Sequence, residues 1–215
     1  ATENNKRKNA RSIKQHYALS SMARNDFRHR GSFVSFTTTQ NALRMIITKP
    51  TPQEYAPYYG NYISKVQPDN LLEALHQHTD EWIEFICRLP AHKGDYAYTT
   101  GKWTVKEVLL HVIDAERIFA YRALRFARND QTELPGFEEN DYVPFSNAAA
   151  RSLLSLQEEF AAVRQATLTL FRSFDEAAFL RSGMASKNTM SVRALGFVII
   201  GHAEHHKQVL EEKYL

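Results

Sequence analysis

The sequence predicts an all-α protein, a four-helix bundle, and three observations lead there. Four long stretches carry apolar residues at alternating steps of three and four, the period of a helix with one buried face. No stretch alternates with period two for long enough to argue a sheet, and no internal repeat is present. The 215 residues, 43% apolar and 12% aromatic, suit one substantial core and are too few for two comfortable domains.

The ordered part begins near residue 45. Thr51, Pro52 and Glu54 form a capping-box start with proline at the first helical position, and Pro57 and Gly60 keep that helix short or bent. After Pro68, Asp69 can cap a first long helix with the stripe Leu72, Leu75, Thr79, Ile83 and Ile86, ending at Pro90. Thr104 and Glu107 make a second capping box. It opens a helix with Val108, His111, Ala115, Ile118 and Arg122 on one face, Val112 and Phe119 beside them, and an end near Asn129. Ser146 can cap a third helix, whose stripe is Ala149, Leu153, Leu156, Phe160, Val163, Thr167, Leu170 and Phe174. Ser191 can cap the last, with Val192, Leu195, Ile199, His202, His206 and Val209 facing inward.

Charge separates residues 1–44 from the rest. Nine basic residues stand there against Glu3 and Asp26, a net +7, so the overall +3 leaves residues 45–215 at −4. That segment is rich in Asn, Ser and Thr, lacks an apolar period and reads as a disordered basic extension. As a functional element it could be a nucleic-acid arm or a transit peptide. The plainer expectation is a dispensable extension, with Met45 as the effective start. No run of about 18 apolar residues exists to span a bilayer. Cys87 is the only cysteine, which excludes an internal disulfide and a cysteine-based zinc cluster and fits a reducing cytoplasm. A metal would have to rely on histidines and carboxylates.

The histidines supply that chemistry. His202 and His206, four residues apart, share a helix face, and His111 lies on the inward stripe of the second long helix. Three neutral imidazoles around zinc or another first-row ion leave a coordination position open, as catalysis needs. His111 lies about 10 Å into its helix, His202 about 16 Å into the last helix, and His206 about 12 Å from that helix's end. The rings become level most easily if these two helices are antiparallel. That requires an up-down-down-up order with a crossover between the second and third helices. Residues 130–145 can reach about 53 Å, more than the roughly 37 Å length of the helix they must retrace.

The run from Trp103, Thr104 and Val105 through His111, Asp114, Glu116 and Arg117, then Tyr121, Arg122, the Leu134-Pro135-Gly136-Phe137 turn and the Gly201-to-His206 cluster, resembles the DinB/YfiT-like superfamily. The resemblance covers about residue 47 to the end. It implies an up-down-down-up four-helix bundle, often dimeric, with a divalent metal, zinc or nickel, on His111, His202 and His206. Relatives include low-molecular-weight thiol S-transferases, thiol-dependent isomerases and metal-dependent hydrolases. The resemblance therefore implies a small-molecule substrate and a small thiol as co-substrate, or metal-assisted hydrolysis, or a metal-binding stress-response protein without catalysis. It implies no DNA chemistry, despite a name shared with a polymerase, and no membrane partner.

Other residues carry weaker expectations. His205 points about 60° from His202 and 100° from His206, which places it on the site's rim or behind the ligands. Asp114, one turn beyond His111, could orient an imidazole or accept a proton, and pairing with Arg117 explains it equally well. Glu204 does not complete a His-Glu-x-x-His motif, because Ala203 follows His202. Arg122, about 16 Å along its helix from His111, is expected in a buried ion pair with a glutamate of the third long helix and not as a catalytic group. Trp103, Tyr96 and Tyr98 could line a pocket mouth or cover the bundle's end, and Gly196 and Gly201 could permit close helix contact. His76, His78 and His92 show no usable partner spacing.

Overall fold

The structure, a computed structural model, describes residues 45–215. The predicted basic extension, residues 1–44, lies outside them. The helices are α1 (Gly60–Ile63), α2 (Leu71–Arg88), α3 (Val105–Ala127), α4 (Glu139–Tyr142), α5 (Leu153–Arg172), α6 (Glu176–Leu180) and α7 (Val192–Lys213). Between α6 and α7 runs a hairpin of β1 (Ser182–Ala185) and β2 (Asn188–Ser191). No helix of the described residues is long and apolar enough to cross a membrane.

Side-chain contacts fix the direction of each long helix. Leu71 packs against Gly196, while His78 and Trp82 reach Glu204, so α2 and α7 run parallel. Trp103 precedes α3, yet its carbonyl accepts from the hydroxyl of Tyr214, just past the end of α7, at 2.7 Å; Phe119 meets His202 farther back. These two helices are antiparallel. Lys106 bonds to the carbonyl of Ala149, before α5, and Glu116 pairs with Arg164, so α3 and α5 are parallel. Cys87 meets Gln157 and Trp82 stacks on Phe160, which makes α2 and α5 antiparallel. The order is up-down-down-up, with α4 inside the crossover.

Caps account for where the helices begin. Glu107 N–H donates to the Thr104 hydroxyl at 3.2 Å and the Glu107 carboxylate accepts from Thr104 N–H at 2.7 Å, the reciprocal box expected for α3. Ser191 Oγ accepts from Ala194 N–H at 3.1 Å and starts α7. Two starts differ from the sequence prediction. Asp69 forms an ion pair with Lys49 at 2.9 Å, and Asn70 takes the cap position of α2. Ser146 closes a 3-10 turn by donating to the carbonyl of Val143; Asn147 is left-handed at φ 55° and Arg151 is extended, so the ladder cannot run through residues 146–152. Helix α5 begins at Leu153, capped by Ser152.

Burial in α2 also departs from the predicted stripe. Leu71, Ala74, Leu75, His78, Trp82, Phe85 and Ile86 are buried, whereas Leu72, Thr79 and Ile83 are half-buried. Trp82 and Phe85 set the rotation of the helix because they remove the most apolar area from water. The hairpin was not predicted. Its strands are four residues each, and its two-residue turn uses Ser186 and Lys187 at φ 52° and 62° in place of the Asn-Gly or Asp-Gly that marks such turns in sequence. The crossover lies against it, Leu134 N–H donating to the carbonyl of Met184 at 2.9 Å.

Gly196 and Gly201 do serve close approach. A Cβ on Gly201 would lie 2.0 Å from the carbonyl oxygen of Tyr62, so α1 sits directly on the α7 backbone. Glu54 fastens the same region, accepting from Thr51 N–H at 2.9 Å, Ser191 Oγ at 2.8 Å and Arg193 Nε at 2.7 Å. Burial pushes the Glu54 carboxyl up, but the hydrogen bonds from Arg193, Thr51 and Ser191 outweigh it and hold the pKa at about 2 instead of 4.5. Because the folded value is depressed, this contribution is complete above about pH 4.5 and is lost as pH falls toward 2. Acid unfolding followed by circular dichroism is expected to show Glu54→Gln losing on the order of 2 kcal/mol at neutral pH, with a flatter pH slope between 4.5 and 2.

Candidate metal centre

His111 occupies the second turn of α3, and His202 and His206 occupy successive turns in the middle of α7. Helix geometry and the caps bring the three rings together. His202 Nε2 lies 3.0 Å from His111 Nε2 and 3.1 Å from His206 Nε2, and the ring centroids are 4.5 to 4.9 Å apart. His202 is 7% exposed; the other two are half-buried.

Burial keeps all three neutral. It pushes His111 down to about 4, against an upward pull from Glu139. Burial, then repulsion from His111 and His205, takes His206 to about 3, and burial with the neighbouring imidazoles takes His202 well below the histidine range. Neutral imidazoles are what a metal ion requires. Two nitrogens each about 2.05 Å from one ion are about 2.9 Å apart at a right angle and about 3.4 Å apart at the tetrahedral angle. The 3.0 and 3.1 Å separations fit the edges of such a polyhedron. A single proton on His202 Nε2 can be donated well to only one neighbour, so a cation satisfies this triangle better than a proton does.

Aromatic rings surround the histidines. Tyr62 stands edge-on to His202 at 5.5 Å, Phe119 meets the same ring at 5.9 Å, and Trp103 lies 4.9 Å from His111. They line a cavity of about 330 Å³ that also reaches Tyr59, Phe137, Glu139 and Arg122. A second cavity, about 280 Å³, shares Trp103, Glu139, His205 and His206 with the first. All three imidazoles therefore border the first cavity, and His206 borders both. Glu139, Tyr62 and Phe119 were not singled out as site residues from sequence. Glu139 arrives on α4 by the crossover and Tyr62 on a four-residue helix, so neither carries a spacing signal.

The remaining residues divide plainly. His205 packs beside Tyr62 and His206 and lines both cavities, a rim position. Asp114 receives its hydrogen bond from Arg117 at 3.3 Å and makes none to an imidazole; it borders a narrow cleft shared with His111 and Glu139. Glu204 points away from the triangle, as its 200° rotation from His202 dictates, and accepts from Trp82 at 3.2 Å beside His78 Nδ1 at 3.1 Å. His78 thus has a buried partner 126 residues away that no local spacing could reveal. Arg122 is buried but is not in an ion pair with α5. That role belongs to Glu116 and Arg164, joined by three hydrogen bonds of 2.8 to 3.0 Å. Trp103 lines both cavities and Tyr98 the second, while Tyr96 packs on Tyr214.

The sequence pattern of the DinB superfamily matches residues 74–210, a span that contains all three histidines. No curated protein sequence matches the chain significantly. Among solved structures the chain is similar to YfiT from Bacillus subtilis, described as a probable metal-dependent hydrolase with an unusual four-helix bundle topology. The likeness covers 76% of this chain and 90% of that one, with a TM-score of 0.56 and 16% identity, and it shows the fold.

Proposed function

The chain belongs to the DinB superfamily, and from that premise we propose that it is a metal-dependent enzyme that joins a small thiol to a small electrophile, with a divalent ion held by His111, His202 and His206. The observation that carries the reading is the meeting of three neutral imidazoles, with His202 Nε2 3.0 and 3.1 Å from its two neighbours and all three ligand nitrogens within 4.8 Å, at the edge of two cavities. A structural ion would call for an enclosed site. An ion here, zinc or nickel, would supply Lewis acidity and make a thiol or a water molecule a stronger acid near neutral pH.

The chain's own residues supply the rest. Two chambers that meet at His206 and Glu139 suit a reaction with two organic partners, one on each side. Trp103, Tyr62 and Phe119 set apolar ring surface beside the imidazoles, against which an organic substrate can lie. Glu139 is the carboxylate common to both chambers and is available to take the thiol proton. A carbon–sulfur bond forms as the bond from carbon to the leaving group breaks, and the proton passes from Glu139 to that group, which returns the carboxylate to its starting state. Hydrolysis with water in place of the thiol is the second reading, favoured by the description of the YfiT structure. We further propose a cytoplasmic, homodimeric protein acting on small molecules without a nucleic-acid or membrane partner. Its ordered domain spans 45–215, after a dispensable basic extension.

Purified protein is expected to hold about one divalent ion per chain by elemental analysis. With a panel of electrophiles, turnover is expected only when a small thiol is added, with one thiol consumed per electrophile. Product formation in water alone, at an unchanged rate, assigns the site to hydrolysis instead.

A further inference from the structure

Arg122 lines the larger cavity at a distance from the imidazoles, is 3% exposed and, among the described residues, has only neutral partners. Its Nη2 donates to the carbonyl of Pro135 at 3.0 Å and to Ser186 Oγ at 2.9 Å, and its other polar neighbour is Tyr59. Among the described residues no carboxylate pairs with it, Glu139 included, although that side chain lines the same cavity. The other buried arginine shows the contrast. Arg164 has Glu116 against it, with both nitrogens of one guanidinium edge engaged. A buried guanidinium without a counter-charge is costly, and a fold keeps it where an anion arrives.

We propose that Arg122 anchors the carboxylate of the substrate, a small elongated monocarboxylic acid whose apolar body lies along the aromatic walls and whose far end reaches the three histidines. This deepens the proposed function and rests on it for the claim that the cavity receives the substrate. Phe119 lies between the two ends, 5.9 Å from the guanidinium carbon and 5.9 Å from the His202 ring, so those ends are within about 12 Å of each other. A carboxylate on the guanidinium takes up about 4 Å of that distance. The remainder admits a body of at most roughly six bonds, and about 330 Å³ is room for one such molecule. Phe119 and Phe137, each 5.9 Å from the guanidinium carbon, make the wall beside it apolar and aromatic. A carboxylate fits better than a phosphate monoester, because among the described residues Arg122 is the only lysine or arginine lining this cavity while Glu139 adds negative charge. A dianion would leave one charge unmatched.

The test compares 3-phenylpropanoate with its neutral amide, 3-phenylpropanamide, by calorimetric titration of the full chain, once metal-loaded and once after chelation. The acid is expected to bind at least 10-fold more tightly than the amide in both forms, and Arg122→Met is expected to bring that ratio close to one with metal content unchanged. A wild-type ratio near one, or no saturable binding of the acid, overturns the proposal. So does a ratio that persists in Arg122→Met and vanishes on chelation, since the carboxylate would then sit on the metal. Arg122 also ties the crossover to the hairpin, so Arg122→Lys provides a second variant. It keeps a cation and loses the planar fork, and is expected to lower the ratio at least threefold; an unchanged ratio overturns the assignment. The metal-free titration does not depend on the ion, so absence of metal from the purified protein would defeat the proposed function while leaving the Arg122 result readable.

Discussion

His202→Ala is expected to yield a helical, cooperatively unfolding protein that no longer retains a divalent ion. His202 is the middle ligand, its Nε2 within 3.0 Å of one partner and 3.1 Å of the other, so its loss leaves a pair with no common neighbour. Outer partners of metal ligands contribute about 10- to 100-fold in affinity, and loss of one ligand of three is expected to exceed that range. Elemental analysis after desalting is expected to fall from about one ion per chain to less than about 0.1, with turnover falling at least about 100-fold. Fold stability without metal is expected to change by only about 1 to 2 kcal/mol, because the core clusters on either side of the site are unaltered. Asp114→Asn serves as the control. Its carboxylate is engaged with Arg117, so metal content is expected to stay at the wild-type level. A full complement of metal in His202→Ala would remove the three-histidine site from consideration, and an unfolded variant would point to a structural ion.

Arg164→Met is expected to produce the largest loss of stability of any single change considered. Arg164 and Glu116 are 0% and 2% exposed, and their three hydrogen bonds join α5 to α3 at the centre of the bundle. Removing the arginine leaves the Glu116 charge buried and uncompensated, at a cost of about 3 to 5 kcal/mol. Urea denaturation is expected to show that loss in Arg164→Met and a similar one in Glu116→Gln. The double variant Glu116→Leu with Arg164→Met is expected to recover most of it, since the charges have both gone and apolar groups fill the space. Metal content should follow the folded fraction and nothing else. Additive losses in the double variant would contradict the pairing.

What could be read from sequence follows from how local each signal is. The four long helices were legible because burial imposes a 3.6-residue period, and two of their starts were legible because the Thr104–Glu107 box and the Ser191 cap are written in consecutive residues. Ser146 failed as a cap because Asn147 adopts a left-handed conformation; asparagine tolerates that conformation better than most residues, but its presence after Ser146 does not by itself say that the conformation is used. In α2 the stripe through Thr79 and Ile83 satisfied the period as well as the true one through His78 and Trp82; only packing against α5 and α7 chose between them. At the site, the i, i+4 pair of His202 and His206 is a local signal, His111 stands out as a histidine on an apolar stripe, and the family resemblance joins it to the pair. Glu139, Tyr62 and the uncompensated charge of Arg122 depend on where the crossover and α1 lie, which no local pattern encodes.

The up-down-down-up order also bears on time. His111 and His202 are separated by 91 residues, and α7, which carries two of the three histidines, leaves a ribosome after α2, α3 and α5. Helix α7 packs against both α2 and α3, so those two keep one face open until it arrives. A chain arrested before α7 would carry His111 alone, so binding of an ion by all three histidines is expected only once α7 has emerged and packed against α3.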